Sequence, residues 1–189
     1  MRTLKEIAES TQTDKLTAHS YIPVYERFLQ PMRQEPIRLL EIGVLRGASI
    51  HMWLEYFPNA QVVGMDIEPR HVLTHERYNQ IHCSQSDINR VPTLFPFDHF
   101  DVIIDDGSHF AEDNILTLHM LWPALKPNGL YFIEDLQHGP PHWRNSVLYW
   151  KQHCPYIYKC REHEVFDTSQ QTGRFDDILV VLRKQQGKI

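Results

Sequence analysis

The chain has 189 residues, 42% of them apolar, and a formal net charge of −5, which suits one globular domain with its own core. Lysines and arginines are interspersed among the acids, which argues against nucleic acid or an anionic membrane as the main partner. Three cysteines without metal-ligand spacing, no apolar run of membrane length and no apolar leader core in MRTLKEIAES predict a reduced, soluble, cytoplasmic protein.

In chain order, Thr3 to Ser10 reads as a short helix and TQTDK as a polar turn. Ala18 to Met32 reads as a second helix, with Tyr21, Val24, Tyr25, Phe28 and Leu29 at helical spacing. IRLLEIG (Ile37 to Gly43) is a strand running into a glycine turn, ASIHMWLEYF a helix, and AQVVGMDIE (Ala60 to Glu68) a second strand. His71 to Tyr78 is expected to be helical, NQIHC a short strand, and DINRVPTLF a short helix or turn. FDVIIDD (Phe100 to Asp106) is a buried strand. DNILTLHMLWPAL is an amphipathic helix closed by the KPNG turn, and GLYFIED (Gly129 to Asp135) is another strand. PHWRNSVLYWKQH is expected to be a helix begun by Pro140 and Pro141. Strands over Tyr156 to Phe166 and Asp177 to Arg183, joined by a hairpin-like QQTG turn, complete the chain.

This alternation predicts an α/β fold: a doubly wound, Rossmann-like sheet of seven mostly parallel strands, with an antiparallel terminal pair and helices on both faces. It predicts a single domain, with residues 1–35 as a helical cap on a 36–189 core. In such sheets ligands sit beyond the carboxyl ends of the strands, where the strand order reverses. The first strand ends as EIGVLRG, placing Glu41, Gly43 and Gly47 there. Leu45 stands where a dinucleotide fingerprint needs its second glycine, which disfavours a pyrophosphate cradle and an NAD-dependent dehydrogenase. An acid two residues before the first glycine suits a cationic group instead, although an ordinary strand-to-helix turn would look the same. Asp66 ends the second strand 25 residues after Glu41, where a carboxylate can accept both ribose hydroxyl protons. Asp87, 21 residues later, is expected to end the third strand and to reach an adenine amino group. Three acids at successive strand ends resemble the class I S-adenosylmethionine-dependent methyltransferases, and Ser49, Ile67 and Asp105 join the candidate cofactor-binding set.

DDGSH ends the fourth strand and IEDL the fifth, with Glu134 lying 28 residues after Asp106. Neighbouring parallel strands would bring Asp106, Glu134 and Asp135 together as hard oxygen donors suited to Mg²⁺, rather than to zinc. His109, three residues after Asp106, would stand at the rim of that cluster. The alternative is that these carboxylates only cap helices. Acids packed so closely repel one another, so a cation is expected between them.

TDKxxxHxYxxxYE (Thr13 to Glu26), LLEIGVLRGAS, VVGMDIEP, FDVIIDDGSH and LKPNGLYFIEDL together resemble the metal-dependent sugar O-methyltransferases of macrolide and tetracenomycin biosynthesis. The resemblance implies Mg²⁺ bound by Asp106, Glu134 and Asp135, with His109 as the base. It also implies that Thr13, Lys15, His19 and Tyr21 lie near the cofactor or over the site. The expected reaction is methyl transfer from S-adenosylmethionine to a sugar hydroxyl on a natural product or polysaccharide. Vicinal hydroxyls on Mg²⁺ would acidify the acceptor, and His109 would take its proton. A catechol-type acceptor and a non-catalytic S-adenosylmethionine-binding protein are the rival readings. The partner is a small molecule or glycoside, and a homo-oligomer is possible. Gln137 to Trp143 is placed to contact substrate, with His138, His142 and Trp143 as a sugar platform or, equally, Trp143 as a packing anchor.

Overall fold

The computed structural model describes residues 1–68 and 73–186. Seven strands form one sheet: β1 (Arg38–Ile42), β2 (Gln61–Asp66), β3 (Tyr78–His82), β4 (Phe100–Asp105), β5 (Leu125–Leu136), β6 (Cys160–Asp167) and β7 (Ile178–Lys184). Their order is β3-β2-β1-β4-β5-β7-β6. Strands β1 to β5 pair in parallel, and β7 runs antiparallel to both β5 and β6. The doubly wound α/β reading is borne out, with the reversal of strand order between β1 and β4.

Successive strand residues face opposite ways. Leu39, Val62, Val102, Ile104, Leu130 and Phe132 therefore pack beneath α1 (Leu4–Thr11), α3 (Ile22–Leu29) and α4 (Ala48–Tyr56). Leu40, Ile42, Met65, Ile103, Tyr131 and Ile133 face α5 (Ala111–Leu121) and α6 (Val147–His153). Between α1 and α3 lies the one-turn α2 (Asp14–Thr17). At the head of α1, Thr3 accepts from the Glu6 amide while the Glu6 side chain returns to the Thr3 backbone. Such a reciprocal cap is worth about 1 kcal/mol, and it sets Leu4, Ile7 and Ala8 into the core.

Several boundaries differ from the sequence expectation, each for a local reason. The helix expected over Ala18 to Met32 begins only at Ile22, because Pro23 is accommodated in a first turn and nowhere deeper. Of the helix expected over His71 to Tyr78, residues 71 and 72 lie outside the described residues. Leu73 to Arg77 are irregular and turn, and Tyr78 already pairs with Val62. The helix expected from Pro140 starts at Val147 instead. Ser146 caps it by accepting from the Tyr149 amide, while the Pro140 carbonyl accepts from Ser146 Oγ in the preceding turn. Tyr156 belongs to a 3-10 turn, so β6 starts at Cys160. QQTG is the body of a short helix, α7 (Ser169–Thr172), closed by Gly173.

Candidate functional site

A cleft of about 590 Å³ opens at the carboxyl ends of β1, β2, β4 and β5, across the reversal of strand order. That volume lies in the range of small-molecule sites. One wall is the β1–α4 turn (Gly43, Val44, Leu45, Ser49), continued by Asp66, Ile67 and the loop Cys83 to Ser86. The other is the loop after β4 (Asp106 to His109), with Asp135 at the end of β5.

Glycine makes the junction of these walls. Gly43 has φ +84°, and a Cβ there would lie 1.8 Å from the Asp106 carbonyl oxygen. Only a residue without a side chain allows the first turn to touch the fourth-strand loop. A Cβ at Gly107 would likewise meet Gln85 Oε1, at 1.9 Å, and that oxygen accepts from the Ser108 amide. Among the described residues, six other than glycine are left-handed, and four of these line the cleft: Gln12 (φ +56°), Leu45 (φ +47°), His109 (φ +61°) and Asp135 (φ +59°). A register shift in the β5–β7 pairing between Ile133 and Leu136 accompanies the last of these. Bulges of this kind re-aim a side chain at a sheet end.

At the acid end, one oxygen or nitrogen each from Asp106, His109 and Asp135 lie within 4.8 Å of one another. His109 Nδ1 stands 4.0 Å from Asp106 Oδ1 and 3.8 Å from Asp135 Oδ2, shielded from solvent and without a hydrogen bond. Two carboxylates and an imidazole nitrogen with unspent valence fit a divalent cation. Burial, with Asp106 adding to it, pushes the Asp135 carboxyl up to about 6, although His19, His109 and Tyr21 oppose the rise.

The same acids are gripped from behind by the N-terminal helices. Lys15 is fully buried, with Nζ 2.6 Å from Asp106 Oδ2, 2.8 Å from Glu134 Oε1 and 3.2 Å from Glu41 Oε1. Burial alone would discharge it, but the three carboxylates hold its pKa well above the usual lysine range. Tyr21 donates to Asp135 Oδ1 at 2.8 Å, and Tyr25 donates to Glu134. His19 stacks on Tyr21 and reaches Asp177 at 3.0 Å.

The expected site residues therefore divide. Gly43, Ser49, Asp66, Ile67, Asp106, His109 and Asp135 line the cleft. Glu41 and Glu134 do not: as the strand alternation dictates, they share the face of Leu39 and of Phe132, under the helices, and meet Lys15. Ser49 Oγ donates to Glu41 at 2.9 Å, and burial pushes Glu41 up to about 7. Asp105 shares the opposite face with Ile103. There it accepts from Gln85 and Tyr131, and burial raises it to about 6. Asp87 lies beyond the end of β3, which stops at His82, and it caps a turn by accepting from the Asn89 and Arg90 amides. Gly47, left-handed at φ +78°, caps the start of α4 behind the cleft wall.

Asp66 keeps its place, but its carboxylate accepts from the amides of Val44, Leu45 and Glu68. Thr13, Lys15 and Tyr21 lie behind the cleft, and TQTDK presents Gln12 and Asp14 to it instead. His138 pairs with Asp167 at 2.9 Å, and the half-exposed Trp143 ring packs over Gly139. Neither these two nor His142 lines the cleft. Ser84, Gln85 and Ser86 escaped the sequence reading because no motif marks them. Their only signal is a position just past a short strand.

Residues 40–136 match a family model described as a methyltransferase domain, a span that runs from within β1 through the loops after β1, β2 and β4 to the acids of β5. The chain belongs to this methyltransferase domain family. Among curated relatives it is 33% identical, over 72% of its length and 34% of theirs, to the 8-demethyl-8-(2-methoxy-α-L-rhamnosyl)-tetracenomycin-C 3′-O-methyltransferase of Streptomyces olivaceus. It is 34% identical, over 70% of its length and 36% of the relative's, to the demethylmacrocin O-methyltransferase of Streptomyces fradiae. The domain thus spans about a third of the length of these curated relatives. Its fold superposes with TM-score 0.79 and 24% identity on a methyltransferase of the mycinamycin biosynthetic pathway, solved with Mg, SAH and mycinamycin VI. That match covers 98% of the domain and 54% of the solved chain. No helix among the described residues is long and apolar enough to cross a membrane.

Proposed function

We propose that this domain transfers the methyl group of S-adenosylmethionine to a hydroxyl of a sugar carried by a small molecule, with a divalent cation beside the acceptor. The observation that carries the reading is a cleft with a glycine-turned wall at one end and Asp106, His109 and Asp135 at the other. Relatives named as O-methyltransferases of glycosylated natural products favour the sugar over a catechol. A scaffold that only bound cofactor would have no use for the acid end.

The β1–α4 turn with Asp66, Ile67 and Ser84 to Ser86 would hold the cofactor, and Asp66 stiffens that wall by bonding two of its amides. Asp106 and Asp135 would hold Mg²⁺, which when bound lowers the pKa of a chelated hydroxyl. His109 accepts the acceptor's proton. With Nδ1 turned towards Asp106 and Asp135, Nε2 is the nitrogen left to take it. Placing hydroxyl and methyl donor in one cleft supplies much of the remaining rate. A second reading makes His109 the third metal donor, since its Nδ1 lies inside the same cluster.

Methyl transfer to a panel of glycosides, with and without EDTA, tests the proposal. Turnover that needs Mg²⁺ and a glycoside with vicinal hydroxyls is expected. Full activity in EDTA, or activity on catechols alone, would overturn it.

A further inference from the structure

Each cleft-facing acid is held by one oxygen and presented by the other. Asp106 gives Oδ2 to Lys15 and keeps Oδ1 towards His109, while Asp135 gives Oδ1 to Tyr21 and keeps Oδ2 towards the same ring. Lys15 has no exposure to water, and its ammonium lies within 3.2 Å of three carboxylates, Asp106, Glu134 and Glu41, donating to Asp106. A buried ammonium of this kind fixes where the acids point and also adds positive charge one carboxylate away from the cleft.

We propose that Lys15 is a positioning residue for a divalent-cation site at Asp106 and Asp135, an internal cation that orients the acids and sets how tightly the dication is held. The assignment rests on the metal-dependent reading above. Lys15 repels a dication across Asp106 while keeping the acids from repelling one another. Remove it, and Asp106, Glu134 and Glu41 lose the internal cation they share, with only the Tyr25 and Ser49 hydroxyls left to donate to Glu134 and Glu41. A bound dication then becomes their only counter-charge, at short range in a poorly solvated site.

The test is Mg²⁺ titration calorimetry at pH 8, with thermal melts in EDTA, on the full chain as wild type, Lys15→Met and Lys15→Met/Glu134→Gln. Lys15→Met should melt lower in EDTA yet bind Mg²⁺ about tenfold more tightly or better, a combination that a merely structural lysine would not give. The double variant removes one of the stranded acids, so its melt should recover and its affinity return towards wild type. Equal or weaker Mg²⁺ binding by Lys15→Met overturns the proposal, as does a double variant no more stable than the single one. If Lys15→Met does not fold in EDTA, folding of the double variant supports the assignment and its failure overturns it. Unchanged affinity in Lys15→Met with Mg²⁺-dependent methyl transfer intact defeats the lysine assignment alone. A wild type that takes up no Mg²⁺ and turns over fully in EDTA defeats both.

Discussion

The two ends of the cleft are built by opposite strategies. The glycine-turned end is local: Asp66 bonds the amides of Val44 and Leu45, about twenty residues away on the adjacent parallel strand's loop. Its apolar surface stays open, with Leu45 and Ile67 exposed. The acid end is built at long range by buried side chains. Lys15 reaches Asp106 and Tyr21 reaches Asp135, across separations of 91 and 114 residues. Backbone amides suffice to shape a surface that receives a ligand. Four acids in one place need dedicated cations and hydroxyls, and those come from a separate layer of helices.

The largest effect should come at the acid end. His109→Ala is expected to lower kcat by about 10²–10⁴-fold, roughly 3–5 kcal/mol of barrier, with Mg²⁺ affinity unchanged. A drop in Mg²⁺ affinity of similar size, measured by calorimetry, would make His109 a metal donor and the acid end purely a metal site. Next comes the joint between the ends. Gly43→Ala forces a side chain against the Asp106 carbonyl in a left-handed conformation, and should cost about 2–4 kcal/mol in denaturant unfolding. A loss below about 1 kcal/mol would mean that the two walls move independently.

The pH dependence comes third. Burial holds Glu41 at about 7 against an ordinary 4.5, so the folded chain keeps a proton that the unfolded chain releases between those values. Stability therefore falls as pH rises from about 4.5 to 7, by up to about 3 kcal/mol for this group, and its contribution is flat above. Asp105 and Asp135, each raised to about 6, act in the same direction. Thermal melts in EDTA should be higher near pH 5.5 than at pH 8, and Glu41→Gln should flatten the slope. A wild-type profile that rises towards pH 8 would contradict the burial of these acids. The smallest effect belongs to the local end. Asp66→Ala frees two wall amides and should weaken S-adenosylhomocysteine binding by about 1–3 kcal/mol without touching Mg²⁺ affinity. Unchanged cofactor affinity would remove Asp66 from the cofactor wall.

What the sequence revealed follows the same division. Strand ends, the glycine turn and the DDGSH and IEDL runs are local patterns, so the fold and the cleft position were legible from them. The facing of individual acids was harder. Alternation from Leu39 already turns Glu41 inward, and alternation from Phe132 does the same for Glu134, but reading them as strand-end residues obscured this. Lys15 was picked out only through a motif resemblance, because nothing in TQTDK says that its lysine is buried. A polar turn with one lysine looks solvated until the three acids that neutralise it are known to lie beneath.

The placement of Lys15 also bears on how the protein can be divided. A piece beginning at β1 would inherit Glu41, Asp106, Glu134 and Asp135 but leave behind Lys15, Tyr21 and Tyr25, which hold them. The first thirty residues are thus less a lid than half of an electrical circuit. Exchanging them would remove or transplant the buried charge that Asp106, Glu134 and Glu41 share, so the helical layer and the sheet form one electrostatic unit.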